Sequence, residues 1–416
     1  MINKNMNKSN YTNLKKIGSG AYGKVYSAKT LNGEKVAIKE IFDLRDIIDS
    51  IKLIREIQML KHFNKYKHPN IIGIKDAYIK DRSFGKMKSL TSHRTTSSKH
   101  CYERVCIVSD LYDTDLHKLI HRYRLDTPKT RLTDSHYEYF ASQLVSGLYY
   151  LATADIIHRD LKPSNIILNS DCSLKIIDFG LSRTKNTDGI ARGQTDYVVT
   201  RWYRSPEIIL YNPQYGYDKQ VDIWSLGCIL AEMILKRPLF DGEDYKDQLK
   251  KIFQFIEMTD DDFKYLTQLN KKPTTIAFIN NYKLTNSNQT FNERFKELYR
   301  SCFIADNGKG IEIPEINDEF INLIEKMLII NPNKRITIEE LIKNPYFKSL
   351  CKIPDSPKSD NEYGAIPLIT SPKRFKINYD FEEELIERDS INDVKEKIYD
   401  EVEIFATENK FESLSL

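Results

Sequence analysis

The chain has 416 residues, long for a single hydrophobic core, so two packed lobes and an extension are expected. Hydrophobic residues make up 40% and charged residues 29%, the balance of an ordinary soluble protein, and a net charge of +4 gives no ground for a nucleic-acid partner. No apolar run reaches the length of a membrane span, Met1–Asn13 lacks a signal-peptide pattern, and six cysteines scattered without paired spacing argue against a disulfide framework and a zinc site, so a reducing compartment and no membrane partner are expected.

After a polar tail at 1–10, Ile17-Gly18-Ser19-Gly20-Ala21-Tyr22-Gly23-Lys24-Val25 carries a Gly-x-Gly-x-x-Gly run. Glycine lets backbone N–H groups close on a phosphate chain with no side chain in the way. Rossmann folds share this spacing but open a helix after it. Here Lys24–Ala28 continues as a strand, and a turn at Asn32-Gly33 leads into Lys35–Ile41, which predicts a phosphate-clamping hairpin. Val36-Ala37-Ile38-Lys39 places a lysine on the third strand, opposite its β-branched neighbours. A lysine in an apolar strand needs a charge partner, and Glu56 in the predicted helix Ile47–Phe63 is the candidate, beside nucleotide phosphates.

Lys80–Arg104 holds seven Lys/Arg against two Asp/Glu, with many Ser and Thr, and reads as an inserted basic loop. Farther on, His158-Arg159-Asp160-Leu161-Lys162-Pro163-Ser164-Asn165 is followed by Asp178-Phe179-Gly180. With the glycine loop and Lys39, this set resembles the eukaryotic protein kinases. The resemblance implies an α+β bilobal protein-kinase fold: a small β-rich N-lobe over 11–111, a large helical C-lobe over 112–350, and a C-terminal extension over 351–416 that returns to the N-lobe. It also implies ATP and Mg²⁺ as cofactors. Asp160 takes the role of orienting the substrate hydroxyl and accepting its proton, and Lys162 that of neutralising charge on the transferred phosphate. Asn165 and Asp178 are the implied metal ligands, and Lys39 with Glu56 positions the nucleotide. A catalytically inactive kinase-fold docking scaffold is the alternative, and the presence of all these residues argues against it.

By the same resemblance the adenine site falls at Val105–Tyr112, read as an alternating buried strand that runs into a hinge. Backbone groups of Asp110 and Tyr112 would meet the adenine edge, with Ile17, Gly18, Gly20, Gly23, Val25, Ala37 and Ile167 lining the nucleotide and Ser109 as a small gatekeeper.

Thr195-Asp196-Tyr197 followed by Arg201-Trp202-Tyr203-Arg204-Ser205-Pro206-Glu207 resembles the Thr-x-Tyr activation segment of the MAP kinase family, spanning 178–207 here, and the long stretch about 243–315 resembles that family's insert. The resemblance implies dual phosphorylation of Thr195 and Tyr197. The first phosphate would meet Arg159, Arg183 and Lys52, and the second Arg201 and Arg204. It further implies Ser/Thr-Pro protein substrates, an upstream dual-specificity MAP kinase kinase, phosphatases, docking-motif peptides, and a cytoplasmic and nuclear location. Cyclin-dependent kinases are the nearest rivals; Tyr197, Arg201 and Ser50–Phe63 depart from them.

Cys172 in a strand-like segment reads either as an apolar filler or, by resemblance, as part of a docking groove with Leu132, His136 and Tyr139. Asp355, Asp360 and Glu362 are candidates for an acidic docking patch. Glu207 is expected to pair with Arg335. At the C-terminus, Asp380–Glu403 carries eleven Asp/Glu against three Lys/Arg, and its apolar positions Leu385, Ile386, Ile391, Val394, Ile398 and Val402 predict an amphipathic helix with a solvated acidic face.

Overall fold

The computed structural model describes residues 10–20, 23–42, 46–80, 104–122, 132–184, 201–210, 218–282, 289–304, 313, 315–347, 351–352, 366–367, 373–375, 385–386 and 390–414. The chain divides into two compact units. One comprises 1–67, 71–112 and 377–416; the other comprises 68–70 and 113–376.

The first unit is built on strands β1 (Tyr11–Gly20), β2 (Gly23–Thr30), β3 (Lys35–Phe42), β4 (Asp76–Lys80) and β5 (Arg104–Asp110), in the order β1-β2-β3-β5-β4. All neighbouring pairs are antiparallel. Gly33, with φ of +83°, closes the β2–β3 turn in the left-handed region. Val36 and Ile38 are buried while Ala37 and Lys39 alternate to the other face, the period-2 pattern of a half-covered strand. β5 departs from the expected alternation: Val105 to Val108 are all buried, because it lies between β3 and β4 with both faces covered.

Helix α1 (Ile47–Lys65) starts where Asp46 accepts the N–H of Asp49 at 2.9 Å, and buries Ile51, Ile54, Ile57 and Phe63. The C-terminal helix Ile391–Leu414 packs on α1 and β4 through Val394, Ile398, Val402 and Phe405. Its acidic face is not wholly solvated as the sequence predicts. Glu401 is buried, accepting from Gln58 Nε2 at 2.8 Å and from Lys61 Nζ at 3.2 Å.

Glu40, only 2% exposed, receives both Lys80 Nζ (2.9 Å) and Arg104 Nη1 (3.0 Å) on one oxygen. Burial pushes its carboxyl up, but the bonds to the two cations outweigh this and hold it below its ordinary value. The first and last cations of the basic insert therefore serve the strand pair β4–β5, where they stand opposite each other. Residues 81–103 themselves lie outside the described residues.

The second unit begins with β6 (Thr114–Asp115) and α2 (Leu116–Arg122), followed by α3 (Asp134–Thr153) and β7 (Ile156–Ile157). The short strands β8 (Ile166–Leu168) and β9 (Leu174–Ile176) form a sheet with β6, and β10 (Arg183–Thr184) pairs with β7. Helices α4 (Pro206–Ile209), α5 (Gln220–Leu235), α6 (Tyr245–Phe255), α7 (Asp260–Leu269), α8 (Pro273–Asn280), α9 (Phe291–Ile304) and α10 (Asp318–Met327) complete the bulk. Among the described residues, helices α6, α7, α8 and α9 fall within the stretch about 243–315. α5 is buried on every side, so its sequence is apolar all round except where a polar group has a specific partner. Among the described residues no helix is long and apolar enough to cross a membrane.

Candidate active site

In the first unit the glycine run forms the β1–β2 hairpin. A Cβ at Gly23 would stand 2.3 Å from the Glu40 carbonyl oxygen, so strand packing alone demands that glycine. Gly20 differs: a Cβ there would meet nothing within 4 Å, and one at Gly18 would make only ordinary contact with Val25. Among the described residues no packing requires these two glycines, and a backbone without side chains is what the close approach of a phosphate chain would need.

Lys39 Nζ lies 2.7 and 2.9 Å from the two carboxylate oxygens of Glu56 on α1, so the lysine of the apolar strand has the partner the sequence predicts. Ile17 is exposed and Val25, Ala37, Ser109, Asp110 and Tyr112 are partly buried. The Asp110 carboxylate is 3.0 Å from Lys75 Nζ.

In the second unit the loop after β7 brings Asp160, Lys162 and Asn165 together. Lys162 Nζ is 2.6 Å from Asp160 Oδ2, and Asn165 Nδ2 donates to that same oxygen at 3.1 Å and to the Asp160 carbonyl at 2.8 Å. Burial pushes the Asp160 carboxyl above its ordinary value; Lys162 opposes this and Asp178 adds to it. Asp178 has φ of +70° and Arg159 +68°, left-handed conformations that non-glycine residues hold only when their surroundings enforce them.

At Arg159 that support comes from a residue the sequence reading missed. Asp222 on α5 accepts the backbone N–H of His158 at 2.7 Å and of Arg159 at 2.8 Å. Burial pushes its carboxyl up, while His158 and the two backbone donors pull the other way. The available signal was a lone aspartate inside the apolar run Gln220–Leu235. His158 closes the frame: Asp160 N–H donates to Nδ1 at 3.3 Å, and Nε2 lies 3.0 Å from the Ile177 carbonyl. Phe179 is fully buried with its ring edge-on to His158.

Asn165 spends its amide nitrogen on Asp160, which leaves its carbonyl oxygen as the group to offer a ligand, alongside the Asp178 carboxylate. Two hard oxygen donors from the protein, with phosphates and water completing the shell, fit a small divalent cation such as Mg²⁺. Among the described residues no group of three or more His, Cys, Asp or Glu side chains forms an all-protein cage.

Thr195 and Tyr197 lie outside the described residues. Of their expected cations, Arg159 Nη1 donates to the Leu181 carbonyl at 3.3 Å and Arg183 Nη1 to the Ser182 carbonyl at 3.2 Å; β10–β7 pairing sets Arg183 opposite Ile157, two residues from Arg159. Lys52 is 2.9 Å from Asp49 on its own helix. Arg201 and Arg204 stand together over the Tyr245 ring, 5.4 and 5.9 Å from its centre. Arg204 Nη1 donates to its hydroxyl at 2.9 Å, and Arg201 Nη1 donates to the Glu243 carbonyl.

Leu132 is buried just before α3, and His136 and Tyr139 lie on that helix, with His136 Nδ1 accepting the Thr133 N–H that caps it. Cys172 is not in a strand as the sequence predicts. It occupies the β8–β9 turn with φ of +64°, held by its own N–H to the Asn169 carbonyl at 3.0 Å and by Gln143 Nε2 donating to its carbonyl at 2.9 Å. The preceding Asp171 accepts the Ser173 N–H at 2.9 Å, an Asx turn that the Asn-Ser-Asp-Cys-Ser sequence encodes. Asp355, Asp360 and Glu362 lie outside the described residues.

The protein kinase domain family model matches residues 11–347. Mitogen-activated protein kinase 13 of Arabidopsis thaliana is 37% identical over 390 residues, covering 93% of this chain and 88% of that one. Mitogen-activated protein kinase 6 of Oryza sativa subsp. japonica is 36% identical over 355 residues, 83% of this chain and 78% of that one. Extracellular signal-regulated kinase 1 of Dictyostelium discoideum is 37% identical over 349 residues, 83% of this chain but 56% of that longer protein.

Proposed function

Because the chain belongs to the MAP kinase family of protein kinases, we propose that it transfers the ATP γ-phosphate to Ser/Thr-Pro sites of protein substrates within a signalling cascade. The observation that carries this reading is the convergence of Lys162 and Asn165 on one carboxylate oxygen of Asp160. A carboxylate fixed by two donors, with its basicity raised by burial, suits a group that orients a hydroxyl and accepts its proton. Lys162 would neutralise charge on the transferred group, Asn165 and Asp178 would hold the metal, and Lys39, fixed by Glu56, would take the nucleotide phosphates. Mg²⁺, when bound, supplies charge neutralisation at those phosphates.

Dual phosphorylation of Thr195 and Tyr197 by an upstream dual-specificity kinase is the activating event in this reading. The clustered Arg201 and Arg204 support a phosphate site for Tyr197, and Arg159 with Arg183 supports one for Thr195. Proline after the phosphorylated residue is favoured because it has no N–H to leave unsatisfied.

The test is to phosphorylate the purified protein with a dual-specificity kinase, verify both sites, and assay Ser-Pro and Ser-Ala peptides with Mg²⁺-ATP. Transfer to the Ser-Pro peptide, lost in Asp160→Ala with nucleotide binding retained, is expected. No transfer after verified double phosphorylation would overturn the proposal, and a requirement for a cyclin would move the chain to the rival class.

A further inference from the structure

Helix α2 carries two histidines one turn apart, and their rings have come together. Nε2 of His117 and Nε2 of His121 are 3.0 Å apart, with ring centres separated by 4.2 Å and planes inclined at 58°. The neighbouring face of α2 is anchored: Leu116 and Ile120 are fully buried, and Asp115 caps the first turn by accepting the Lys118 N–H at 2.8 Å. His121 is exposed and His117 is partly buried, so the pair stands at the surface.

We propose that His117 and His121 form a chelate for a late divalent transition metal, Cu²⁺ or Ni²⁺ before Zn²⁺. Histidines at i and i+4 share one helix face, a spacing that suits two ligands on one ion. Metal–imidazole bonds of about 2.0–2.1 Å set two adjacent ligand nitrogens about 2.9 Å apart in a square-planar shell and about 3.3 Å apart in a tetrahedral one. The 3.0 Å separation here falls within that interval and close to its square-planar end, the geometry of Cu²⁺ and Ni²⁺. Binding replaces the hydrogen bond between the two rings by two coordinate bonds: the ring that donates through Nε2–H releases that proton to solvent and takes one up at Nδ1, so that each Nε2 gives a lone pair to the metal and each ring carries its proton on Nδ1.

Three other described histidines are less suited. His68 Nδ1 accepts the Asn70 N–H at 3.1 Å, His136 Nδ1 caps Thr133, and His158 Nδ1 accepts the Asp160 N–H. Among the described residues no group of three or more His, Cys, Asp or Glu side chains gathers, so the remaining positions on the ion fall to water. This is a site of a different kind from the Asn165–Asp178 oxygen pair, since imidazole nitrogen selects against Mg²⁺.

The experiment uses tag-free, full-length protein titrated with Ni²⁺ by calorimetry and with Cu²⁺ by electron paramagnetic resonance. One ion per chain is expected at this site, with the Cu²⁺ spectrum showing two coordinated imidazole nitrogens. His117→Gln and His121→Gln should each weaken Ni²⁺ binding by roughly a hundredfold, as expected when a chelate is cut to a single ligand. Lys118→Ala, on the same helix, should bind as the parent does. Absence of binding by the parent, weakening of less than about tenfold in either histidine variant, or equal loss in Lys118→Ala would each overturn the proposal. The Cu²⁺ spectrum of the parent keeps it testable even if a variant misfolds: a spectrum without two imidazole nitrogens also overturns it.

Discussion

Arg335 and Glu207 meet in a buried bidentate pair: Nη1 to Oε1 at 2.9 Å and Nη2 to Oε2 at 3.2 Å, with the arginine side chain fully buried. The guanidinium also lies 5.2 Å from the centre of the Trp224 ring and donates through Nε to the Ile329 carbonyl at 3.0 Å. The pair ties the end of the activation segment to the loop after α10. Removing one partner strands the other charge in a buried site, so Arg335→Ala or Glu207→Ala should cost about 3–5 kcal/mol. Denaturant unfolding measures it; a loss below about 1 kcal/mol, the range of an exposed pair, would contradict the assignment.

Tyr203 donates to Glu232 Oε2 at 2.6 Å within the same buried region. Burial pushes the Glu232 carboxyl up to about 7, against the ordinary 4.5, with the Tyr203 bond opposing. Between those two values the native state holds a proton that the unfolded state has released, so stability falls as pH rises through this window. The ceiling is about 3 kcal/mol at neutral pH. Glu232→Gln keeps an acceptor for Tyr203 and cannot ionise. The stability difference, variant minus parent, should therefore grow from pH 4.5 to 7 and then level off. A difference independent of pH would show that Glu232 is not held protonated.

How far each feature was legible depended on where its determinants lie. The Lys39–Glu56 pair could be read because the lysine sits in an apolar strand that makes an unpaired charge costly, and the helix carrying its partner follows directly. Asp160, Lys162 and Asn165 fall within six residues, so one loop brings them together. The Glu40–Lys80–Arg104 cluster could not be read, since its members are 40 and 64 residues apart and meet only through strand order β3-β5-β4. Glu401 misled in the same way: it belongs to an acidic run, and only packing on α1 turns it inward. Cys172 was placed in a strand because its neighbours are strand residues, whereas the Asp171 Asx turn decides its backbone.

Asp222 gives a third expectation. Its two oxygens each accept one backbone N–H, from His158 and Arg159. Asn at this position offers one acceptor and turns its amide nitrogen toward the other N–H, leaving a buried donor unsatisfied at a cost of about 1–3 kcal/mol. The left-handed turn at Arg159 then loses its support and Asp160 shifts. Asp222→Asn should lower kcat by about 10²-fold, the scale of a displacement near 1 Å. Binding of a non-hydrolysable ATP analogue should hold. Equal losses in both would mean general unfolding rather than displacement of Asp160.

The C-terminal helix gives the fourth. Val394, Ile398, Val402 and Phe405 recur at spacings of four, four and three, one helical face, and all are buried. That face lies on α1, the helix that carries Glu56, and Glu401 fastens it to Gln58 and Lys61. α1 in turn holds Lys39 through Glu56. Phe405→Ala removes a ring from this seam and should cost about 3–5 kcal/mol, while Glu401→Ala, which strands a partly buried ammonium, should cost about 1–3 kcal/mol. Both should speed hydrogen exchange across α1 before they affect α5, because the helix packs within the first unit. Activity should fall along with α1 protection, since a looser α1 holds Glu56 less firmly against Lys39. Exchange that rises equally in α1 and α5 would point to global destabilisation, and unchanged exchange in α1 would show that the helix covers it without supporting it.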